Sequence, residues 1–456
     1  MKAKRWSFLV LLIAFAMLVA ACSSDDGGSD TTSPDGGTDD TSTTAPAEDV
    51  TLRVLVHQNP PMVEFMEAFN ASFEEANPNI TVDMSVVDTG ELATVTQTRL
   101  SANDVDVIDI FGFSNGVADY MTGATPPAWQ QLIDAGLLLD ITDQPFVQNY
   151  DEASIADAGT YNGSVYQVNL GRVSYSGMFV NNDLLAEVGI ETPTTWSELV
   201  SACEAITTAG FECMTVGGGD GWPVFVGSYG LLGSFYPDQE ALVEGLWTGS
   251  SAWNDATSQE LFARYQVYAQ DMLEEGVTGL SHDAGPARYS AGDVAFMPTG
   301  VWQAPALEDA GPAFEWTYVP FPGSDNAADN QYLFGKYDQG WSIAANVPEA
   351  NQQAALAYVA AFSEPDNYQA FVNAVGFLPT QPTATLDTTL GQQVAQYLEN
   401  YRVGFEQFWV EPAGAGQWSN GSLASSWFQP FNEWDDSAAL ADQSQADLQA
   451  GLDASG

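Results

Sequence analysis

The sequence predicts an α/β protein made of two units on one chain, and three observations carry that expectation. Between Val50 and Phe113, short apolar runs alternate with helically spaced segments in β-α-β-α-β order, the pattern of a largely parallel sheet. Beyond a hairpin signal at Asn162-Gly163, a strand-rich stretch followed by two helical patterns begins a second α/β unit. The length of 456 residues, with 45% hydrophobic and 12% aromatic residues, is enough to fill more than one core.

The elements are read in chain order. "MKAKRWSFLVLLIAFAMLVAACSS" opens with Lys2, Lys4 and Arg5 and continues with an apolar run from Phe8 to Ala21, short for a membrane span. Residues 1–21 are therefore expected to be an export signal. Residues 22–49 are acidic and rich in Ser, Thr and Gly; with almost nothing apolar to offset ordering entropy, they are expected to be a flexible tether. "VTLRVLV" at Val50 predicts a buried strand, and "PPMVEFMEAFNASFEEANPN" a helix with Met62, Phe65, Met66 and Phe69 on one face. "ITVDMSVV", "GELATVTQTRLSA" and "DVIDIFGF" complete the first unit as strand, helix and strand. In the second unit, Thr194-Thr195 with Glu198 marks a capped helix start. "SQELFARYQVYAQDMLEEG", "EANQQAALAYVAAFSEP" and "DTTLGQQVAQYLENYR" read as further helices. No internal repeat is visible.

Charge and cysteine count narrow the partners. Ten Lys+Arg against 61 Asp+Glu give −51, which excludes generic affinity for nucleic acid or anionic lipid and disfavours a strongly anionic ligand. Loss of the three basic residues of the leader takes −51 to −54, so attachment to a membrane would rest on lipid. If Cys22 is consumed there, Cys203 and Cys213 remain, either as a disulfide or as two buried thiols.

"GDVAFMPTGVWQAPAL" (292–307) reads as a strand broken by Pro298 and Gly300 that then presents Trp302, a ring that is either core or a platform for a ligand. This block, together with "FEEANPNITV", "NGSVYQVNLGRVSYSGMFVNNDLLAEVGIETPTTWSELV", "GWSIAAN" and "VGFLPTQP", resembles the extracellular solute-binding proteins of ABC importers, family 1, the sugar-binding type. The segments occur in family order from Val50 to about Pro382. The resemblance implies a two-lobed, type II periplasmic-binding-protein-like fold with a ligand cleft at a hinge. It places the first lobe at 50–168 plus 342–392 and the second at 169–341 plus 393–456. "LVAAC" resembles a bacterial lipobox, which implies cleavage before Cys22, its lipidation, and anchoring to the outer face of the cell membrane. The implied partners are a carbohydrate and the permease subunits, with the protein a monomer.

By resemblance Trp302 stacks on a sugar ring, and the physical reason is that pyranose faces are apolar C–H surfaces while the hydroxyl edges need polar partners. Loops following strands supply the other candidates: His57, Gln58 and Asn59; Thr89 and Gly90; Ser114 and Asn115. Each is a ligand contact or simply a turn or helix cap. In the second lobe Ser174 and Tyr175 occupy the crossover, Asp220 and Trp222 stand in "GGGDGWP", Asp338 and Trp341 flank the return, and Trp418 in "GAGQWSNG" is placed to cap the cleft.

Enzymatic readings find little support. Among so many carboxylates no acid–base pair stands out. His57 and His282, the only histidines, lack metal-ligand spacing, and Asp104, Asp106 and Asp109 lack the glycine and distal glutamate of a calcium loop. No cofactor, catalytic residue or metal is expected, and the absence of a P-loop puts any ATPase on another chain. The alternatives kept open are a polyamine or other cationic solute and a surface carbohydrate hydrolase.

Overall fold

The structure is a computed structural model that describes residues 48–111 and 115–455. Cys22, the leader and most of the tether lie outside the described residues, as does Ser114.

Strand β1 (Val50–His57) buries Leu52, Val54, Leu55 and Val56 completely, the near-continuous apolar run of a strand covered on both faces. It lies between β2 (Ile80–Val87) and β3 (Val107–Phe111), parallel to both. Helix Pro60–Ala76 follows β1: Asn59 caps it by accepting the Met62 N–H, two prolines fill its first turn, and Met62, Met66, Phe69 and Phe73 form its buried face. The strand order β2-β1-β3 places a topological switch between β1 and β3, so the loop after His57 opens onto a crevice.

The hairpin β4 (Thr160–Tyr161) and β5 (Ser164–Val165) turns at Asn162 and Gly163, both at positive φ, as a type I′ turn requires. Then β6 (Val168–Asn169) leaves the first sheet and β7 (Arg172–Ser174) enters a small junction sheet. The second lobe is built on β8 (Gly177–Asn181), β9 (Glu212–Met214), β10 (Val294–Pro298) and β11 (Trp316–Pro320), ordered β11-β8-β10-β9. Its helix Trp196–Thr208 starts with the expected capping box between Thr195 and Glu198, and Cys203 on it is bonded to Cys213 in β9 with 5.0 Å between Cα atoms.

The chain returns through β12 (Leu333–Tyr337), in the junction sheet with β7 and β14 (Tyr401–Val403), and then β13 (Gln339–Ile343), which pairs antiparallel with β3 and β6. Two crossings differ from the sequence expectation. The return strand of the first sheet begins at Gln339, ahead of 342. The expected lobe boundary after 392 falls inside helix Thr389–Val394, which packs as a whole on β11 of the second lobe, where the Gln393 amide donates to the Trp316 carbonyl.

Candidate ligand-binding cleft

A cavity of about 280 Å³ lies between the lobes and against the junction sheet. Its second-lobe wall is aromatic. Trp302 follows the strand break: β10 ends at Pro298, a tight turn spans Val301–Gln303, and the ring folds back over Gly300. A Cβ on Gly300 would stand 1.9 to 2.3 Å from three ring carbons, so the ring position requires glycine there. Trp222 opens helix Trp222–Phe235 with its ring 6.3 Å from Trp302 and 4.3 Å from His282. Asp220 is not part of the cavity wall; it accepts the His282 backbone N–H at 2.7 Å, tying the two loops together. Burial pushes the His282 imidazole down to about 4 against the pull of Asp220, so the ring is neutral at pH 7. The Gln303 amide nitrogen lies 3.0 Å from each of its ring nitrogens.

The first-lobe wall is polar. Gln58, Asn59 and Thr89 line it, and Gln58 is held by its N–H to the Val87 carbonyl. Asn59 lines the cavity while its side chain caps the first helix. His57 is 4% exposed, with Nδ1 2.6 Å from Asp109; with its amide nitrogen turned inward, Gln339 donates to both Asp109 oxygens at 2.9 and 3.1 Å. The other two carboxylates of "NDVDVIDI" are also spent on pairs: Asp106 holds Arg53 at 2.7 Å and Asp104 faces Arg53 and Arg99. Among the described residues no cluster fit for a metal ion occurs.

At the junction, Lys336 of β12 reaches Glu406 at 3.2 Å and Asp338 at 3.5 Å, and all three line the cavity. Burial pushes the Asp338 carboxyl up, with Lys336 opposing. Burial would lower the Lys336 ammonium, but Glu406 and Asp338 outweigh it and hold it above its ordinary range. Tyr175, 2% exposed, lines the same end, but its hydroxyl oxygen is itself buried against Gly404 without a hydrogen-bond partner among the described residues, and burial raises it.

The structure therefore gathers Trp302, Trp222, Tyr175, His57, Gln58, Asn59, Thr89 and Asp338 around one cavity. Other candidates lie elsewhere. Trp341 is core: it sits mid-strand in β13, paired on both sides and fully buried against Tyr358 and Phe362 of helix Glu349–Phe362. Trp418 packs on Trp427 and Trp434 at 5.0 and 5.9 Å and anchors the C-terminal segment, so it does not cap the cleft. Ser174 is buried in β7 outside the wall, and Asn115 binds the Gln407 carbonyl through its backbone.

The sequence reading missed Phe225, Phe377, His282, Asp283, Gln303, Lys336 and Glu406 as wall residues. One signal was available: Lys336 is the only lysine beyond Lys4 in a chain of net charge −51. No such signal marks Glu406 or His282.

The profile of the bacterial extracellular solute-binding proteins matches residues 68–397. A multiple sugar-binding protein of Streptococcus mutans is 27% identical over 281 residues, which are 60% of this chain and 62% of that protein, so the match leaves over a third of the relative's length uncovered. Among solved structures, the solute-binding protein RafE in complex with raffinose superimposes with a TM-score of 0.71 at 19% identity, covering 88% of this chain and all of that one. A sugar transporter of Bacillus licheniformis in complex with stachyose gives 0.67 at 15% identity, with 88% and 100% covered. These structures share the two-lobed solute-binding fold, and among the described residues here no helix is long and apolar enough to cross a membrane. The fold match and the family profile, which spans more than half of the sequence, lead to one conclusion: the chain belongs to the bacterial extracellular solute-binding protein family.

Proposed function

We propose that the cleft binds a carbohydrate and that the protein, tethered to the outer face of the cell membrane by lipid on Cys22, hands it to the permease of an ABC importer as a monomer. The observation that carries this reading is the pairing of two walls. Trp222 and Trp302 offer apolar faces on one side, and Gln58, Asn59 and Thr89 offer uncharged polar groups on the other. A pyranose has matching surfaces, C–H faces bounded by hydroxyls. The names of the Streptococcus, RafE and Bacillus proteins point the same way. A thermal-shift screen over mono- and oligosaccharides, followed by titration calorimetry, tests it. Stabilisation by at least one sugar is expected, and none by any sugar refutes it. Spermidine belongs in the same screen, because the acidic junction favours a cationic solute as the second reading. Cys22→Ser is expected to move the protein out of the membrane fraction.

A further inference from the structure

The glycine run of "VGGGDGWP", after β9, lies against the backbone of the segment that ends at His282. A Cβ on Gly217 would stand 2.4 Å from the His282 Cα and 2.6 Å from its amide nitrogen, and one on Gly219 would stand 2.9 Å from the Leu280 carbonyl oxygen. Only a bare backbone comes that close. Two hydrogen bonds fasten the contact: the Gly219 N–H donates to the Leu280 carbonyl at 2.8 Å, and the His282 N–H donates to Asp220 at 2.7 Å. Asp220 stands two residues before Trp222, so the backbone of His282 is fixed beside the point where that ring is attached.

Trp222 depends on such a neighbour. The helix it opens starts from Gly221, at φ 75, and no side chain caps that end, so its first turn is not held from within. Two aromatic rings stand beside the indole: His282, with centroids 4.3 Å apart, and Trp302, at 6.3 Å. The His282 ring is itself held. The Gln303 amide nitrogen is 3.0 Å from each of its two nitrogens and 3.3 Å from the His282 carbonyl oxygen. A point so close to both nitrogens lies over the plane of the imidazole, so Gln303 holds the plane and not one edge. Gln303 is 5% exposed and follows Trp302 in the turn Val301–Gln303. His282 therefore joins the segment that carries Trp222 to the one that carries Trp302.

We propose that His282 is a positioning residue: held by the glycine-backed loop and by Gln303, its ring sets the tilt of Trp222 against Trp302, 43° between planes, and with it the shape of the aromatic wall. A ligand feels His282 through Trp222. Another flat ring at 282 serves nearly as well, because the contact with Trp222 is one of faces and edges, whereas a methyl group leaves the indole with no stop on that side. The effect on affinity rests on the carbohydrate reading above; the effect on the two indoles does not.

Two readouts test it, one of them without ligand. Indoles 6.3 Å apart couple, and the circular dichroism of the pair depends on their mutual tilt. The difference spectrum between the wild-type protein and Trp222→Phe isolates that band from the other tryptophans. His282→Ala is expected to lose most of the band and His282→Phe to keep it, with denaturant unfolding confirming that both are folded. In calorimetry with the best sugar of the screen, His282→Ala is expected to bind about 10-fold more weakly and His282→Phe to stay within about 3-fold of wild type. In a Trp222→Ala background, His282→Ala is expected to cost nothing further. Asp220→Ala, which cuts the tie to the His282 N–H, is measured with the same expectations if His282→Ala does not fold. A band that is unchanged in the variant or absent from the wild-type difference spectrum overturns the inference, and so does unchanged affinity. Losses that add to that of Trp222→Ala overturn it as well, since they make His282 a direct ligand contact. If no sugar binds the wild-type protein, the carbohydrate reading falls and the spectrum alone decides the role of His282.

Discussion

Gly300→Ala is the sharpest probe of the aromatic wall, because it alters the wall without touching any group that would meet a ligand. The backbone at Gly300, with φ −81 and ψ 165, is open to any residue, so the substitution acts through space alone. The new methyl would stand 1.9, 2.2 and 2.3 Å from three carbons of the Trp302 ring, against an ordinary contact of roughly 3.5 to 4 Å. The ring must withdraw by more than 1 Å or rotate away, and overpacking of this kind costs about 1 to 3 kcal/mol. Displacing an aromatic anchor forfeits much of its contribution, on the order of 2 to 4 kcal/mol, so affinity is expected to fall roughly 30-fold to 1000-fold. Trp302→Ala removes the same anchor, and the double variant decides the mechanism. If Gly300 acts only by seating the ring, Gly300→Ala costs nothing further once Trp302 is gone. Calorimetry with the best sugar of the screen, beside denaturant unfolding of all four proteins, gives the cycle. Unchanged affinity in Gly300→Ala, or losses that simply add, would refute the reasoning.

The remaining predictions address placement, pH and covalent structure. Trp341→Ala should cost about 3 to 5 kcal/mol of stability, since its ring is fully buried, and leave the affinity of the folded fraction unchanged; a selective loss of binding would return Trp341 to the site. His282 stays neutral down to about 4 in the folded protein but takes a proton near 6.5 when unfolded, so stability should fall as pH drops across that window, by up to about 3 kcal/mol. His282→Gln should lose that part of the slope in unfolding curves taken at both pH values, and an unaltered slope would count against a buried neutral ring. Replacing Cys203 and Cys213 together by Ser releases a loop closed across a separation of 10 residues and should cost roughly 3 kcal/mol. Non-reduced peptide maps should show the two cysteines joined, and free thiols at both positions would remove the basis for that number.

How far the molecule was legible in its sequence depends on the range of the forces involved. Periodicity is local, and the strands at Val50, Ile80 and Val107 and the helix at Pro60 lie where alternation and helical spacing put them. Turn and cap chemistry is local too, as Asn162-Gly163 and the Thr195–Glu198 box show. The two tryptophans inside family-like blocks, Trp302 and Trp341, show where local signals still discriminate. Trp302 follows Pro298 and Gly300, which end a strand and leave the ring at an edge, whereas Trp341 lies inside the unbroken strand "QGWSI" and takes the burial that a central strand imposes. The junction cluster is the opposite case. Lys336 and Glu406 are 70 positions apart and meet only because β12 and β14 pair, and His282 reaches Trp222 across 60 positions through the Asp220 tie. Nothing in the spacing of those residues encodes the encounter.

The arrangement of the cavity divides labour between choosing a ligand and closing on it. A ligand moves the lobes together only through contacts that are better in the closed form than in the open one. Asp338 joins β12 to β13, the crossing itself, and Lys336 is two residues before it; groups at a pivot move least, so their contacts exist with the lobes apart or together. In the proposed carbohydrate cleft they would act on the choice of ligand and contribute little to closing. Thr89 lies at the end of β2 in one lobe and Trp302 on the far wall in the other, and only a ligand that touches both gains from their approach. A force works against that approach: Asp88 of the first lobe acts electrostatically on Asp283 of the second, whose carboxyl is raised first by burial and then by Asp220 and Asp88. Like charges across a gap favour the open form until bound ligand outweighs them, which is the bias a receptor needs if it is to signal occupancy by closing.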